Sequence, residues 1–372
     1  MKKILTRHWS YFPTGLILGI LLIVFWGLNQ NYLSPDKGAV ASLLENPLLT
    51  FVLIILGAHI GAFLSGEFSI KVPLTFEPLV FALVGGFIIG VGAVIAEMST
   101  HSVVLFNLAG VFTLPAFMIT KGWIFIAFMV LGGFVASRLL VFFLLKTRRL
   151  KREISIPQVL VSRRNQRIMF YALLTIFTIS MLVIILQTQL TYVERTGLIV
   201  AMFFLVLFGF IVERGTICMS SMLKEWFISH SAYVWRSVLS VVIFLALLYQ
   251  VGLHLSLYEP IVLEEFVSNP TLLIVGSFLM GFGFIFADGC FVGSLWKAGQ
   301  GNVINIVGII GLLAGISGSE IIRDMFVTQT GIQTGIIPNY LSSVISPMIL
   351  LIFLWTVGLL LLIIFRQKRY RY

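Results

Sequence analysis

The sequence predicts an all-α protein: a polytopic bundle of transmembrane helices with pseudo-symmetric halves and short broken or re-entrant helices around a central pathway. Three observations carry that expectation. Of 372 residues, 59% are hydrophobic and 11% are charged, where a soluble domain carries about 25% charge. Apolar runs recur along the whole chain near the length of about 20 residues that a span needs. An acid and a thiol, Asp288 and Cys290, close the apolar run 271–286 among glycines. An ionisable group at the centre of a bilayer costs roughly 2.5–3.5 kcal/mol or more. Bent backbone at that depth persists only where protein buries it or a cavity meets it. The stretch therefore reads as a pore or binding site.

Taken in order, the apolar segments cover 11–30, 48–66, 77–96, 103–120, 123–145, 168–189, 197–213, 234–255, 270–287, 303–318 and 345–365. The run from 11 lacks a small-residue cleavage site and reads as a span. Segments 103–120 and 303–318 are short or glycine-broken, and hydropathy leaves open whether each spans or re-enters. The net charge is +10, and its placement is the informative part. Lys2, Lys3 and Arg7 open the chain, Lys146 to Arg167 holds eight cations, and Arg366 to Arg371 closes it. The positive-inside rule puts all three clusters in the cytoplasm. The expectation is a multi-pass protein of the inner (cytoplasmic) membrane, in contact with the lipid bilayer, with both termini cytoplasmic. The organisation expected is a first transmembrane half at 1–145, a basic cytoplasmic loop at 146–167, and a second half at 168–372. No basic patch lies on a soluble domain, so nucleic acid is not an expected partner.

The two halves carry local similarity. The run from Phe208 to Lys224 lies on Leu56 to Lys71 with one gap, which sets Ser65 opposite Cys218. The run from Gly281 to Cys290 lies on Gly90 to Ser99 without a gap. It pairs Asp288 with Glu97 and Cys290 with Ser99. Polar, broken segments at matching places in two halves point to a transporter site. The second half holds an extra apolar segment, 234–255, so the symmetry can be only local.

The chemistry-bearing residues gather at these breaks. Cys218 and Cys290 each follow a good helix cap, Thr216 and Asp288, by two residues. Short helices capped there put each thiol in a first turn, where free N–H groups and the helix dipole favour an anion. The plain reading is that both cysteines are small packing residues. Arg214 is either an anion-attracting group four residues before Cys218 or half of a Glu213–Arg214 pair that snorkels to water. Lys297 is either an anion-attracting group or a flanking cytoplasmic charge. Asp288 and Glu97 suit capping, orientation or proton handling better than anion contact, because a carboxylate repels an anion. His59 and His101 are hydrogen-bonding residues of the bundle or proton carriers. Trp226, Trp235 and Trp296 read as interfacial anchors. No cluster has metal-ligand spacing, and no nucleotide fingerprint or hydrolase motif occurs. Neither a metal nor a cofactor is expected.

The stretches Glu213-Arg214-Gly-Thr-Ile-Cys218-Met-Ser-Ser and Ala287-Asp288-Gly-Cys290-Phe-Val-Gly-Ser-Leu-Trp-Lys297-Ala-Gly-Gln-Gly-Asn302 resemble the YeeE/YedE family of sulfur-transport membrane proteins. The resemblance implies transport of thiosulfate or a related sulfur compound. It implies cysteines that line a narrow central path and pass the anion along by thiol hydrogen bonds, a role that falls on Cys290 and Cys218. Family members with the thiosulfate role typically carry a cysteine in the first half as well, where this chain has Ser65 and Ser99. A hydroxyl also donates a hydrogen bond, but it is a harder donor and cannot exchange sulfur.

The expected function is uptake of a small sulfur-containing anion, most simply thiosulfate, relayed between Ser65, Ser99, Cys218 and Cys290, and not enzymatic turnover. Two alternatives stay open: a membrane sulfur-relay enzyme with a persulfide on Cys290, and a passive anion channel. A cytoplasmic sulfurtransferase-type protein docking at the basic loop is a further candidate partner.

Overall fold

The computed structural model describes residues 9–28, 47–73, 75–96, 120–146, 171, 174–175, 192–229, 233–255 and 270–330. The expected segment 345–365, almost all of 103–120 and 168–189, the loop 146–167 beyond Lys146, and Glu97, Ser99 and His101 lie outside them. The described residues are helical, as expected for a membrane bundle. They form α1 (Tyr11–Leu28), α2 (Pro47–Ser65), α3 (Glu77–Ile95), α4 (Thr120–Lys146), α5 (Tyr192–Gly215), α6 (Met219–Lys224), α7 (Tyr233–His254), α8 (Pro270–Phe286), α9 (Phe291–Gly299) and α10 (Val303–Thr330). A single π-helical turn, Glu225–Ser229, follows α6. Glu77–Ile95, Ile124–Phe143, Ile199–Ile228 and Thr271–Gly299 are long and apolar enough to cross a bilayer, with further apolar stretches at Tyr11–Val24, Thr50–Ser65 and Val303–Ser319. Phe81, Val84 and Phe87 on α3, Phe142 on α4 and Phe203 on α5 are exposed, as lipid-facing residues of a membrane bundle are.

Segment 303–318, which hydropathy left open, begins a continuous helix that runs to Thr330. Its glycines mark close packing rather than breaks. Asn302 caps it, its side-chain oxygen accepting the Ile304 amide at 3.1 Å.

The helices approach through backbone rather than through long side chains. A first side-chain carbon at Gly57 would strike the carbonyl of Val206, and one at Gly209 would strike that of Ile54. Small residues at such crossings let membrane helices pack by van der Waals contact, where no hydrophobic driving force is available. The α2–α5 pair runs parallel, since Gly61 meets Glu213 and Ser65 meets Arg214 at the same end. The α3–α8 pair runs antiparallel. A carbon at Gly85 meets the amide of Ala287, one at Gly276 meets that of Ala96, and Gly92 and Gly283 meet the carbonyls of Gly276 and Gly85. In the ungapped alignment these are the same contacts exchanged.

The relation extends to a pair not read from the sequence. Gly90 abuts the carbonyl of Leu312, and Gly281 that of Met129. Gly315 abuts the carbonyl of Phe87, and Gly132 that of Phe278. So α3 with α10 repeats α8 with α4. These four helices form an inverted repeat, whose two-fold axis lies across them.

Bulky residues at the crossings should overpack, at about 1–3 kcal/mol each. Gly209→Leu and Gly281→Leu should each lower the melting temperature in detergent clearly. Gly318→Ala, whose nearest neighbour stands 4.0 Å away, should be neutral or mildly stabilising. Equal effects of all three would contradict the packing described.

Candidate functional site

Two helices stop short inside the bundle, and the stops build the site. After α5, the Thr216 amide donates to the carbonyl of Glu213 at 3.2 Å and the Ile217 amide to that of Val212 at 3.3 Å. This double bond pattern is a Schellman stop, whose turning residue is left-handed and usually glycine. Here it is Thr216, with φ 51°. Asp288 adopts φ 54° after α8. Left-handed backbone costs a residue with a Cβ about 1–2 kcal/mol, so both stops are strained. The chain then restarts within two residues. Cys218 caps α6 and Cys290 caps α9 in extended conformations.

This corrects the expected capping. Thr216 and Asp288 end the long helices and do not begin the short ones; the cysteines are themselves the caps. Cys290 Sγ accepts the amides of Gly293 at 3.2 Å and Met219 at 3.3 Å. The two sulfur atoms face each other at 3.9 Å, Cys290 donating to Cys218. Both thiols are free and buried. Ser220 ties α6 to the end of α8 by donating to the carbonyl of Phe284 at 2.6 Å. Trp296 donates from Nε1 to the carbonyl of Ile217 at 2.8 Å and is 6% exposed. It locks α9 onto the α5 stop and is not an interfacial anchor. Trp226 and Trp235 are half-buried against each other, ring centroids 5.6 Å apart.

Beside the thiols stands a charge cluster. Lys224 Nζ lies 2.6 Å from Asp288 Oδ1. Lys297 Nζ donates to the Asp288 carbonyl at 2.5 Å and lies 3.3 Å from Oδ2. Two cations on one carboxylate leave a formal surplus of one positive charge. Lys297 is thus not a solvated flanking charge. Lys224 was missed in the sequence; its position six residues after Cys218, echoing Lys297 seven after Cys290, was the available signal.

Arg214 and Ser65 belong to a second network. Arg214 is completely buried and does not snorkel. Its Nε and Nη2 grip both oxygens of Glu213 at 2.6 Å, and Nη2 also donates to Ser65 Oγ at 2.8 Å and Glu67 Oε2 at 3.2 Å. Gln300 donates to Glu213 Oε1 at 3.0 Å, and the Trp9 amide donates to the Arg214 carbonyl at 3.0 Å. Breaking a buried ion pair of this kind costs about 3–5 kcal/mol. Ser65 ends α2 and passes its own proton to the carbonyl of Ala62 or Gly61. Counted from the helix stops it matches Gly215, because Gly66, with φ 75°, makes the same double turn as Thr216. Phe68 therefore corresponds to Cys218 in the stop geometry. His59 Nδ1 pairs with the carbonyl of Gly299 at 3.0 Å, a bond that docks α9 on α2. Among the described residues no group of three metal-ligating side chains occurs.

Comparison with known proteins gives a partial match to one family model and three similar proteins. Residues 214–372 match the family model described as Sulphur transport, a stretch that opens at Arg214 and holds both thiols. The chain is 26% identical over 327 residues to a protein named "Probable transporter YedE" from Salmonella typhimurium (strain LT2), covering 80% of this chain and 78% of that one. The "Probable transporter YedE" of Escherichia coli (strain K12) is 26% identical over 333 residues, with the same shares. The "Thiosulfate transporter TsuA" of Spirochaeta thermophila is 32% identical over 111 residues, 28% of this chain and 30% of that one. These similarities bear out the resemblance to the YeeE/YedE family read from the two cysteine motifs.

Sulfur atoms this close need little movement to reach the bonded separation of about 2.05 Å. Mild oxidation of the purified protein should convert both free thiols to one intramolecular Cys218–Cys290 disulfide, read by mass spectrometry of peptides. Recovery of two alkylatable thiols after oxidation would show that they do not face each other.

Proposed function

We propose that this membrane transporter of the YeeE/YedE family takes up a small sulfur-containing anion, thiosulfate first among the candidates, past Cys290 and Cys218. The thiol pair carries the reading: two sulfur atoms 3.9 Å apart where two short helices begin inside an apolar bundle. The surplus positive charge of Lys224 and Lys297 over Asp288 draws an anion toward them, and does so more strongly where water is excluded. The relative named as a thiosulfate transporter supports the choice of substrate.

The chemistry of the pair suits passage. A thiol is a weak donor and weak acceptor, and the terminal sulfur of thiosulfate is a soft acceptor. A path conducts only when each site binds weakly enough to release. At rest Cys290 donates to Cys218. An anion entering between the sulfur atoms takes over that bond, while the Gly293 and Met219 amides hold Cys290 in place. Asp288 orients the two lysines. Arg214 and Ser65 act as positioning residues, fixing the end of α5 that aims Cys218. Ser99 and Glu97 we assign to the same pathway through their sequence match to Cys290 and Asp288.

The bundle end that holds the start of α1 and the ends of α2 and α5 we place in the cytoplasm, on the basis of the flanking cationic clusters. A sulfurtransferase-type protein receiving the anion there remains our candidate partner. Nothing in the site favours the persulfide alternative. Asp288, the adjacent carboxylate, has both oxygens engaged by lysines and is a poor base for activating a thiol.

A sulfur-auxotrophic host with this protein as its sole importer tests the proposal on thiosulfate medium. Loss of a hydrogen bond to a charged partner predicts that Cys290→Ala lowers uptake about tenfold or more, with Cys290→Ser intermediate. Wild-type uptake by Cys290→Ala would contradict it, and a persulfide trapped on Cys290 during turnover would favour the relay enzyme instead.

A further inference from the structure

The start of α9 has two faces. Gly293 turns one toward the thiols: a carbon added there would meet Cys218 Sγ, and Cys290 Sγ at 3.2 Å. Gly289, between Asp288 and Cys290, marks the other. A carbon added at Gly289 would strike Ser294 Oγ and come within 2.9 Å of Asn305 Oδ1. Two polar side chains, from α9 and α10, therefore aim at the backbone beside Cys290.

Asn305 is the unexplained member. It is 0% exposed, and neither its Oδ1 nor its Nδ2 has a hydrogen-bond partner among the described residues. Leaving a buried polar atom unsatisfied costs about 1–3 kcal/mol. Here one side chain leaves both ends unsatisfied, in the first turn of an apolar helix. Fold stability gives no reason to keep it, since an apolar residue of the same shape would pack without that penalty. The amide lies at the N-terminus of α9, where helix geometry favours negative charge.

We infer that Asn305 is a substrate-contacting residue, which with Ser294 receives the oxygen end of the transported anion while its sulfur end lies at Cys290. The inference rests on the transport reading above and deepens it. An anion with a soft sulfur terminus and hard oxygens then spans the helix start, thiol on one side and carboxamide on the other. The Nδ2 hydrogens donate to an anionic oxygen. The site thereby separates sulfur oxyanions from hydrosulfide, which has no oxygen to offer.

The variant Asn305→Leu tests this, because it separates a binding role from a structural one. Its melting temperature in detergent should equal or exceed that of the wild type. Its KM for thiosulfate uptake in proteoliposomes should rise about tenfold to a hundredfold, as for the loss of a hydrogen bond to a charged group. Competition by sulfide should then match or exceed competition by sulfite. Asn305→Ser, which keeps a donor, should fall between. A wild-type KM in Asn305→Leu would overturn the inference. So would a melting temperature that falls together with uptake, since that marks Asn305 as structural. Absence of thiosulfate uptake by the wild type is a separate result, and would overturn the transport reading itself.

Discussion

The arrangement depends on two backbone positions forced into left-handed conformation inside an apolar bundle. Thr216 and Asp288 stop α5 and α8 part-way, and the chain turns back into a short helix after each. Without the stops, the residues at 218 and 290 would lie one turn further along continuous spans, with their backbone groups satisfied within the helix. With them, both thiols become helix caps and meet. Strain of this kind persists only where the surroundings over-determine it. Here the surroundings are Ser220 on Phe284, Trp296 on Ile217, and the lysines on Asp288.

Glycine contacts hold the frame in which those stops sit. Backbone-to-backbone approach between α3 and α8, and in the two matching pairs α3–α10 and α8–α4, fixes the helices closely. That rigidity is what lets a sulfur–sulfur gap be defined at all. The Arg214 network does the same on the other side, pinning α2, α5 and the turn after α9 together without touching the thiols.

Much of this was legible in the residues. Apolar run lengths gave the helices, and glycine with ionisable residues at 287–290 gave the position of a break. The cysteine motifs gave the family resemblance. The capping was misread for a physical reason: Asp and Thr are favoured helix caps, and Thr is an unusual choice for left-handed backbone, so the sequence pointed to a helix start where there is a helix stop. Ser65 was set opposite Cys218 because a gapped alignment counts residues, whereas the fold counts from the turn at Gly66. Glycines in 303–318 looked like breaks, but the same residue type serves close packing, and only the neighbouring helix tells the two apart. Lys224 carries only its spacing from Cys218 as a signal, and Asn305 carries none, because their roles arise from contacts with residues 64 and 16 positions away.

The central claim is that the anion passes between Cys218 and Cys290. Substrate protection of these thiols tests it most directly. In membranes containing the protein, the rate at which a small alkylating reagent modifies Cys290 should fall as thiosulfate is raised, and sulfate at the same ionic strength should protect far less. Alkylation at an unchanged rate in saturating thiosulfate, in a preparation that transports it, would place the path elsewhere.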